Sequence, residues 1–267
     1  MLYHNFYQSK SSSKQLLVML HGFISDGRTF DNHIDKLTEQ TNVLVIDLPG
    51  HGKDETSMDI EWSFDYINQA LNQVLSEYQQ YQLYLFGYSM GGRVALYYAL
   101  HGSIELAGLI LESTSPGIQS EEDRIERQQV DAARAKVLEI AGLEIFVNDW
   151  ERLPLFQSQY DLEKSVKKQI RNNRMSQDPH RLAKALRDYG TGQMPNLWSL
   201  LSQIDISTYI MAGELDAKFV KIAQKLKDSI VNSRKTIVSN VGHTIHVEDS
   251  TEFDTMILGF LKEEQND

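Results

Sequence analysis

The sequence contains no cysteine. That excludes disulfides, thiolate zinc or iron–sulfur ligation and a cysteine nucleophile, and it leaves serine chemistry open. Proline is scarce, 5 residues in 267, beside 16 glycines, so neither collagen nor a low-complexity chain fits. Positive charge is in deficit. The 26 Lys and Arg against 37 Asp and Glu leave a formal net charge of -11, a field that repels nucleic acid and anionic membrane surfaces, and neither is expected as a partner. Long apolar runs are missing as well. Leu16 to Leu20 and Val94 to Leu100 fall far short of the roughly 20 residues a spanning helix needs, so no membrane span is expected. Residues Met1 to Gln8 show no basic region followed by an apolar stretch and a small-residue cleavage site, which makes the cytoplasm the expected location. What is present is ordinary: 41% hydrophobic and 24% charged residues suffice for a buried core in one large domain or two modest ones.

Leu16 to Leu20, Val43 to Asp47, Tyr84 to Phe86 and Leu109 to Leu111 are short apolar runs closed by Gly, Pro or a polar residue, and they read as buried strands. Between them lie segments of helical spacing, Phe64 to Tyr78 and Gly91 to Leu100. This alternation predicts a parallel sheet covered on both faces. Tyr209 to Met211 and Thr236 to Val238 resume the strand pattern, with Phe219 to Ile230 and Phe253 to Leu261 as intervening and closing helices. The interruption, residues 118–203, reads as a helical cap inserted into a core made of residues 1–117 and 204–267. Within it 8 Arg and 5 Lys balance 13 acids, so the whole net charge resides on the core, and 8 of the chain's 11 arginines lie in the insert. An anionic ligand would therefore be held by local guanidinium groups against an unfavourable global field. The plainer alternative is that these arginines simply solvate helix surfaces.

Gly87-Tyr88-Ser89-Met90-Gly91-Gly92 follows the strand Tyr84 to Phe86 and precedes a helix. Strand, sharp turn and helix are the context of a nucleophile elbow, where flanking glycines let the chain fold back without a Cβ collision and Ser89 is pushed into the open. Chain order supports this reading: Asp216 falls just past the strand at Tyr209, and His243 just past the strand at Thr236, which is the order serine, acid, histidine. Glu214 is a rival acid, and Asp216 is favoured by loop position. His246 reads as a locally bonded or packed residue, and His4, His33, His101 and His180 lack a catalytic context. An oxyanion needs two backbone donors. Met90, at the start of the helix, supplies one, and Phe23, in the turn His21-Gly22-Phe23, supplies the other. His21 is then structural, and Asp47-Leu48-Pro49-Gly50-His51-Gly52 is a turn shaping the floor, with no chemistry assigned.

The combined residues resemble the α/β-hydrolase superfamily over essentially the whole chain. Within it they are similar to the 2-succinyl-6-hydroxy-2,4-cyclohexadiene-1-carboxylate synthases of menaquinone biosynthesis. The stretches that carry the resemblance are His21-Gly22-Phe23 with Asp26, Asp47 to Gly52, Gly87 to Arg93, Ser115 to Gln119 followed by Glu126-Arg127-Gln128, Asp149-Trp150 before Pro154 to Phe156, Gly213 to Phe219, and Gly242 to His246.

The resemblance implies an α/β-hydrolase fold with a mostly parallel sheet and an inserted helical cap. It implies a lyase that eliminates pyruvate without a cofactor and without a metal, acting on a small polycarboxylate substrate. It carries Arg93, Arg127, Arg174, Tyr88 and Trp150 over as substrate-binding residues. Arg171 rivals Arg174 within Arg171-Asn172-Asn173-Arg174, and Trp150 could equally anchor the cap helices. A guanidinium beside the serine suits a carboxylated substrate, because bidentate pairs hold carboxylates in fixed geometry, whereas an esterase of apolar substrates gains nothing from desolvating it. The same triad also serves a serine hydrolase of esters or carbon–carbon bonds. A receptor built on this fold is disfavoured, since all three triad members are present.

Overall fold

Apolar runs too short for helices pair into one seven-stranded sheet, and the amphipathic segments between them cover its two faces. The structure, a computed structural model, describes residues 1–265. In chain order the elements are β1 (His4–Tyr7), β2 (Gln15–Leu20), α1 (Asp31–Leu37), β3 (Asn42–Ile46), α2 (Phe64–Leu75), β4 (Gln82–Tyr88), α3 (Met90–His101), β5 (Gly108–Glu112), α4 (Glu121–Ile140), α5 (Leu143–Trp150), α6 (Lys164–Met175), α7 (Pro179–Tyr189), β6 (Ser207–Gly213), α8 (Ala217–Ser229), β7 (Ser233–Val238), α9 (Ile245–Glu248) and α10 (Ser250–Glu263). Strand order is β1-β3-β2-β4-β5-β6-β7, parallel throughout except for β1, which pairs antiparallel with β3.

The central strands β2, β3 and β5 are buried at every residue, as a sheet covered on both faces requires. One face packs residues such as Val18, Leu85 and Leu109 against α2, α3 and α8, and the other packs Met19, Phe86 and Ile110 against α1 and α10. Helix α2 shows how sequence sets the packing. Ser63 caps its first turn by accepting from the Tyr66 amide, and Phe64, Ile67, Leu71 and Leu75 all turn to the core.

From β2 the chain runs outward to β3 and then crosses back to β4 on the other side of β2, so the loops after β2 and β4 diverge at the carboxyl edge of the sheet. That crevice is where open α/β sheets hold their ligands. Above it, residues 118–203 form α4 to α7 with two 3-10 turns. Their own apolar cluster includes Ala135, Leu138, Phe146 and Leu182, and it engages the crevice through Ile24 and Phe23. Among the described residues no helix is long and apolar enough to cross a membrane.

Two acid-sensitive groups tie the loops of this edge together. His51 is buried; its Nδ1 lies 3.1 Å from the Pro49 carbonyl, and its Nε2 has no partner among the described residues. A proton on Nε2 would be a buried charge without an acceptor, so burial, reinforced by His21, pushes this imidazole down to about 3. Asp26 is also buried. Burial alone would raise it, yet bonds from Arg28 and Gln177 and the nearby His21 hold it at about 2.

Both groups make the unfolded chain bind more protons than the folded one as pH falls. For His51 the loss begins below the ordinary imidazole value near 6.5, and for Asp26 it runs from about 4 down towards 2, with Asp26 contributing about 2 kcal/mol. The urea midpoint is therefore expected to decline steadily from pH 6.5 to 4. His51→Gln should flatten that part of the profile, and an unchanged slope would remove His51 as its cause.

Candidate active site

The elbow is built by backbone geometry that only these glycines permit. Ser89 sits at φ 50°, ψ -104°, between the last residue of β4 and the first of α3. A Cβ at Gly87 would lie 2.4 Å from the Gly91 carbonyl oxygen, and one at Gly91 would lie 2.3 Å from the Leu20 carbonyl oxygen. The strained serine is held by its neighbours: its N–H donates to the Glu112 carbonyl at 2.9 Å, and its own carbonyl accepts from Thr114 Oγ1 at 2.7 Å. Such strain persists only where surrounding structure enforces it.

Ser89 Oγ lies 3.0 Å from His243 Nε2, and His243 Nδ1 lies 2.7 Å from Asp216 Oδ2. The second Asp216 oxygen caps α8 by accepting from the Phe219 amide at 3.2 Å, which fixes the carboxylate's rotation. Glu214, the rival acid, instead accepts from the Asn240 amide. The imidazole is enclosed by rings of Phe219, Tyr88 and Phe156, centred 4.7, 5.4 and 6.1 Å away. The serine, histidine and carboxylate thus meet from three separate loops, the geometry for moving a proton between Oγ and imidazole.

Phe23 and Met90 both line the cavity over Ser89, and among the described residues neither amide is engaged in a loop hydrogen bond. His21 is locked beneath them, with Nε2 accepting from Leu48 N at 3.0 Å and Nδ1 2.7 Å from the Gly22 carbonyl. His246 is buried against Glu112 at 2.9 Å, His33 bonds Asp254, and neither faces Ser89.

The cavity has a volume of about 780 Å³. Its walls include Tyr88, Trp150 and Phe156 on one side and Arg93, Arg127, Arg134 and Lys218 among its polar groups. Arg93 rises one helical turn from Ser89. Its Nε is buried without a hydrogen-bond partner among the described residues, and burial together with repulsion from Arg127 pushes the guanidinium down to about 10. Asp131 offsets that repulsion only in part, and a half-buried guanidinium with an unbonded N–H beside the serine suits an anionic substrate group. Arg127 donates through Nε to Asp131 Oδ1 at 2.9 Å. Tyr88 is buried with its hydroxyl 2.8 Å from Thr244 Oγ1, and burial pushes it well above the ordinary phenol value. Trp150 serves as a cap anchor and a cavity wall at once: it stacks on Phe146 and meets Phe23 edge to face.

Arg174 is not brought to this cavity. It is buried, pairs with Glu151 at 3.3 Å and Gln159 at 3.1 Å, and lines a second space of about 540 Å³ beyond Tyr88, Trp150 and Phe156. Its rival Arg171 pairs with Glu151 at 2.7 Å and lines neither space. The other cap arginines sort as sharply. Arg124, Arg181 and Arg187 end in ion pairs with Glu121, Asp54 and Glu139, and Arg152 is exposed. Only Arg127 and Arg134 of the eight line the Ser89 cavity. Sequence reasoning missed Arg134 and Lys218. The i, i+4, i+7 spacing of Arg127, Asp131 and Arg134 places all three on one helix face and was the available signal. Among the described residues no group of three or more His, Asp or Glu could hold a metal ion.

A strained elbow serine within hydrogen-bond reach of a histidine, itself bonded to an aspartate that caps α8, stands at the carboxyl edge of this sheet, the arrangement of the α/β-hydrolase class of fold. The family model described as alpha/beta hydrolase fold matches residues 15–250. A 2-succinyl-6-hydroxy-2,4-cyclohexadiene-1-carboxylate synthase of an Enterobacter species is 31% identical over 87% of this chain and 86% of its own length. The solved structure of MenH from S. aureus is 60% identical, with a TM-score of 0.98 over 99% of this chain and 100% of that one. A thermophilic esterase from Thermogutta terrifontis, 22% identical with a TM-score of 0.84 over 98% of this chain and 93% of that one, shares the fold. The chain belongs to the 2-succinyl-6-hydroxy-2,4-cyclohexadiene-1-carboxylate synthase family of the α/β-hydrolase fold.

Proposed function

We propose that this chain is a carbon–oxygen lyase that converts 2-succinyl-5-enolpyruvyl-6-hydroxy-3-cyclohexene-1-carboxylate into 2-succinyl-6-hydroxy-2,4-cyclohexadiene-1-carboxylate and pyruvate, with Ser89 as the base. Going from a 3-ene to a 2,4-diene removes the ring proton beside the succinyl carbonyl, shifts the double bond and breaks the bond from ring carbon 5 to the ether oxygen. His243, oriented by Asp216, draws the Ser89 proton, and the serine oxygen takes the ring proton. Charge develops on the succinyl carbonyl oxygen, where the Phe23 and Met90 amides stabilise it. Collapse of the enolate expels the enolate of pyruvate, which takes a proton at its methylene carbon.

The observation that carries this reading is Arg93, a guanidinium one turn from the serine whose buried Nε has no hydrogen-bond partner among the described residues. It suits a carboxylated substrate and would be a liability for an apolar ester. The test is a pyruvate-release assay with the pathway intermediate beside a generic ester. Pyruvate at catalytic rate is expected; acyl-enzyme accumulation with the ester and no pyruvate would establish the serine hydrolase instead.

Arg93→Met keeps the packing and removes the orphan donor. It is expected to lower kcat/KM by about 10- to 100-fold, the range for a charged hydrogen bond, while thermal stability holds or rises. Unchanged kinetics would strip Arg93 of its role.

A further inference from the structure

We infer that Arg134 is a substrate-carboxylate ligand and a determinant of specificity, a step that rests on the lyase reading. The substrate bears three carboxylates, on the ring, the succinyl arm and the enolpyruvyl group. The cavity over Ser89 offers three guanidinium groups facing it, and two of them, Arg93 and Arg127, are already assigned. The third is Arg134.

Its setting is that of a group held ready for an anion. Arg134 lies on α4 seven residues beyond Arg127, with Asp131 between them on the same face. Asp131 is buried, its Oδ1 taken by Arg127 at 2.9 Å and its Oδ2 by the Gly192 amide at 3.1 Å. Arg134 Nη1 stands 4.0 Å from that carboxylate, a charge contact without a hydrogen bond. One carboxylate thus faces two guanidiniums, and the trio keeps a surplus positive charge at the cavity wall. The Arg134 guanidinium lies over the Trp150 ring, 5.3 Å from its centroid, and among the described residues no hydrogen bond engages its N–H groups. Burial and the neighbouring Arg127 lower its affinity for a proton, a strain that an incoming carboxylate relieves.

The experiment uses the full chain, with wild-type pyruvate release as the first arm. Its absence would reject the lyase reading itself. Given wild-type turnover, Arg134→Met is expected to lower kcat/KM by about 10- to 100-fold, mainly through KM. Arg134→Lys should recover only part of this, because an ammonium lacks the planar fork. In the Ser89→Ala background, which cannot turn the substrate over, titration with the intact pathway intermediate should show a matching loss of affinity on adding Arg134→Met. Thermal midpoints should stay within about 2 °C. Wild-type KM in Arg134→Met, or undiminished affinity for the intact intermediate on adding it to Ser89→Ala, would overturn the inference. So would an equal loss for an analogue whose carboxylates are all esterified, since that loss would report packing against Trp150.

Discussion

Ser89→Ala is expected to reduce pyruvate release by at least about ten-thousand-fold while product binding survives, because the base is removed and the guanidiniums remain. Its fold should be unaffected. Alanine meets the same strain as serine at φ 50°, and the Ser89 backbone bonds to Glu112 and Thr114 do not involve the hydroxyl. Ser89→Gly should be equally inactive yet more stable by about 1 kcal/mol, since glycine carries no Cβ penalty at positive φ. Turnover near the wild-type rate in either variant would remove Ser89 from the mechanism. A stability gain in Ser89→Gly without one in Ser89→Ala is the signature of strain held at the elbow.

Asp216→Asn carries the second large effect, expected at about a thousand- to ten-thousand-fold in kcat. The wild-type carboxylate accepts the proton of His243 Nδ1, which leaves Nε2 free to receive the Ser89 proton. An asparagine NH₂ facing Nδ1 favours the other tautomer, in which Nε2 already holds a proton and cannot act as base. Stability separates this from a structural defect. Asparagine still caps α8, whereas Asp216→Ala loses the bond to the Phe219 amide and should cost about 1 kcal/mol more. Thermal melts beside the kinetics check both statements. A rate within tenfold of wild type for Asp216→Asn would mean that His243 is oriented by something other than this carboxylate.

Elements buried on both sides were legible as continuous apolar runs, and β2, β3, β4 and β5 stand where those runs predicted. The edge strand β1 was not. His4–Tyr7 has no fully buried residue, so its pairing with β3 comes from backbone hydrogen bonds that leave little apolar trace. The short helix α1 was unread for a similar reason: only His33 and Leu37 of its residues are buried.

The cap arginines show the other limit. Residue type and spacing nominated Arg127 and Arg174 through resemblance, but whether a guanidinium meets a ligand or a glutamate depends on which side chains the folded helices bring within about 3 Å. Glu151, distant in sequence from Arg174, lies against it, while the carboxylate paired with Arg134 among the described residues is the shared Asp131 at 4.0 Å.

Sequence by itself determined the chemistry available here: an elbow whose glycines make Ser89 protrude, an acid and a histidine in loops after later strands, and an arginine one helical turn beyond the serine. These features are local, set by backbone sterics and by positions at strand ends. Tertiary structure alone decided which charges were neutralised. It closed Arg171 and Arg174 onto Glu151 and left Arg93 and Arg134 open to the cavity, because electrostatic pairing depends on distance through space and not along the chain.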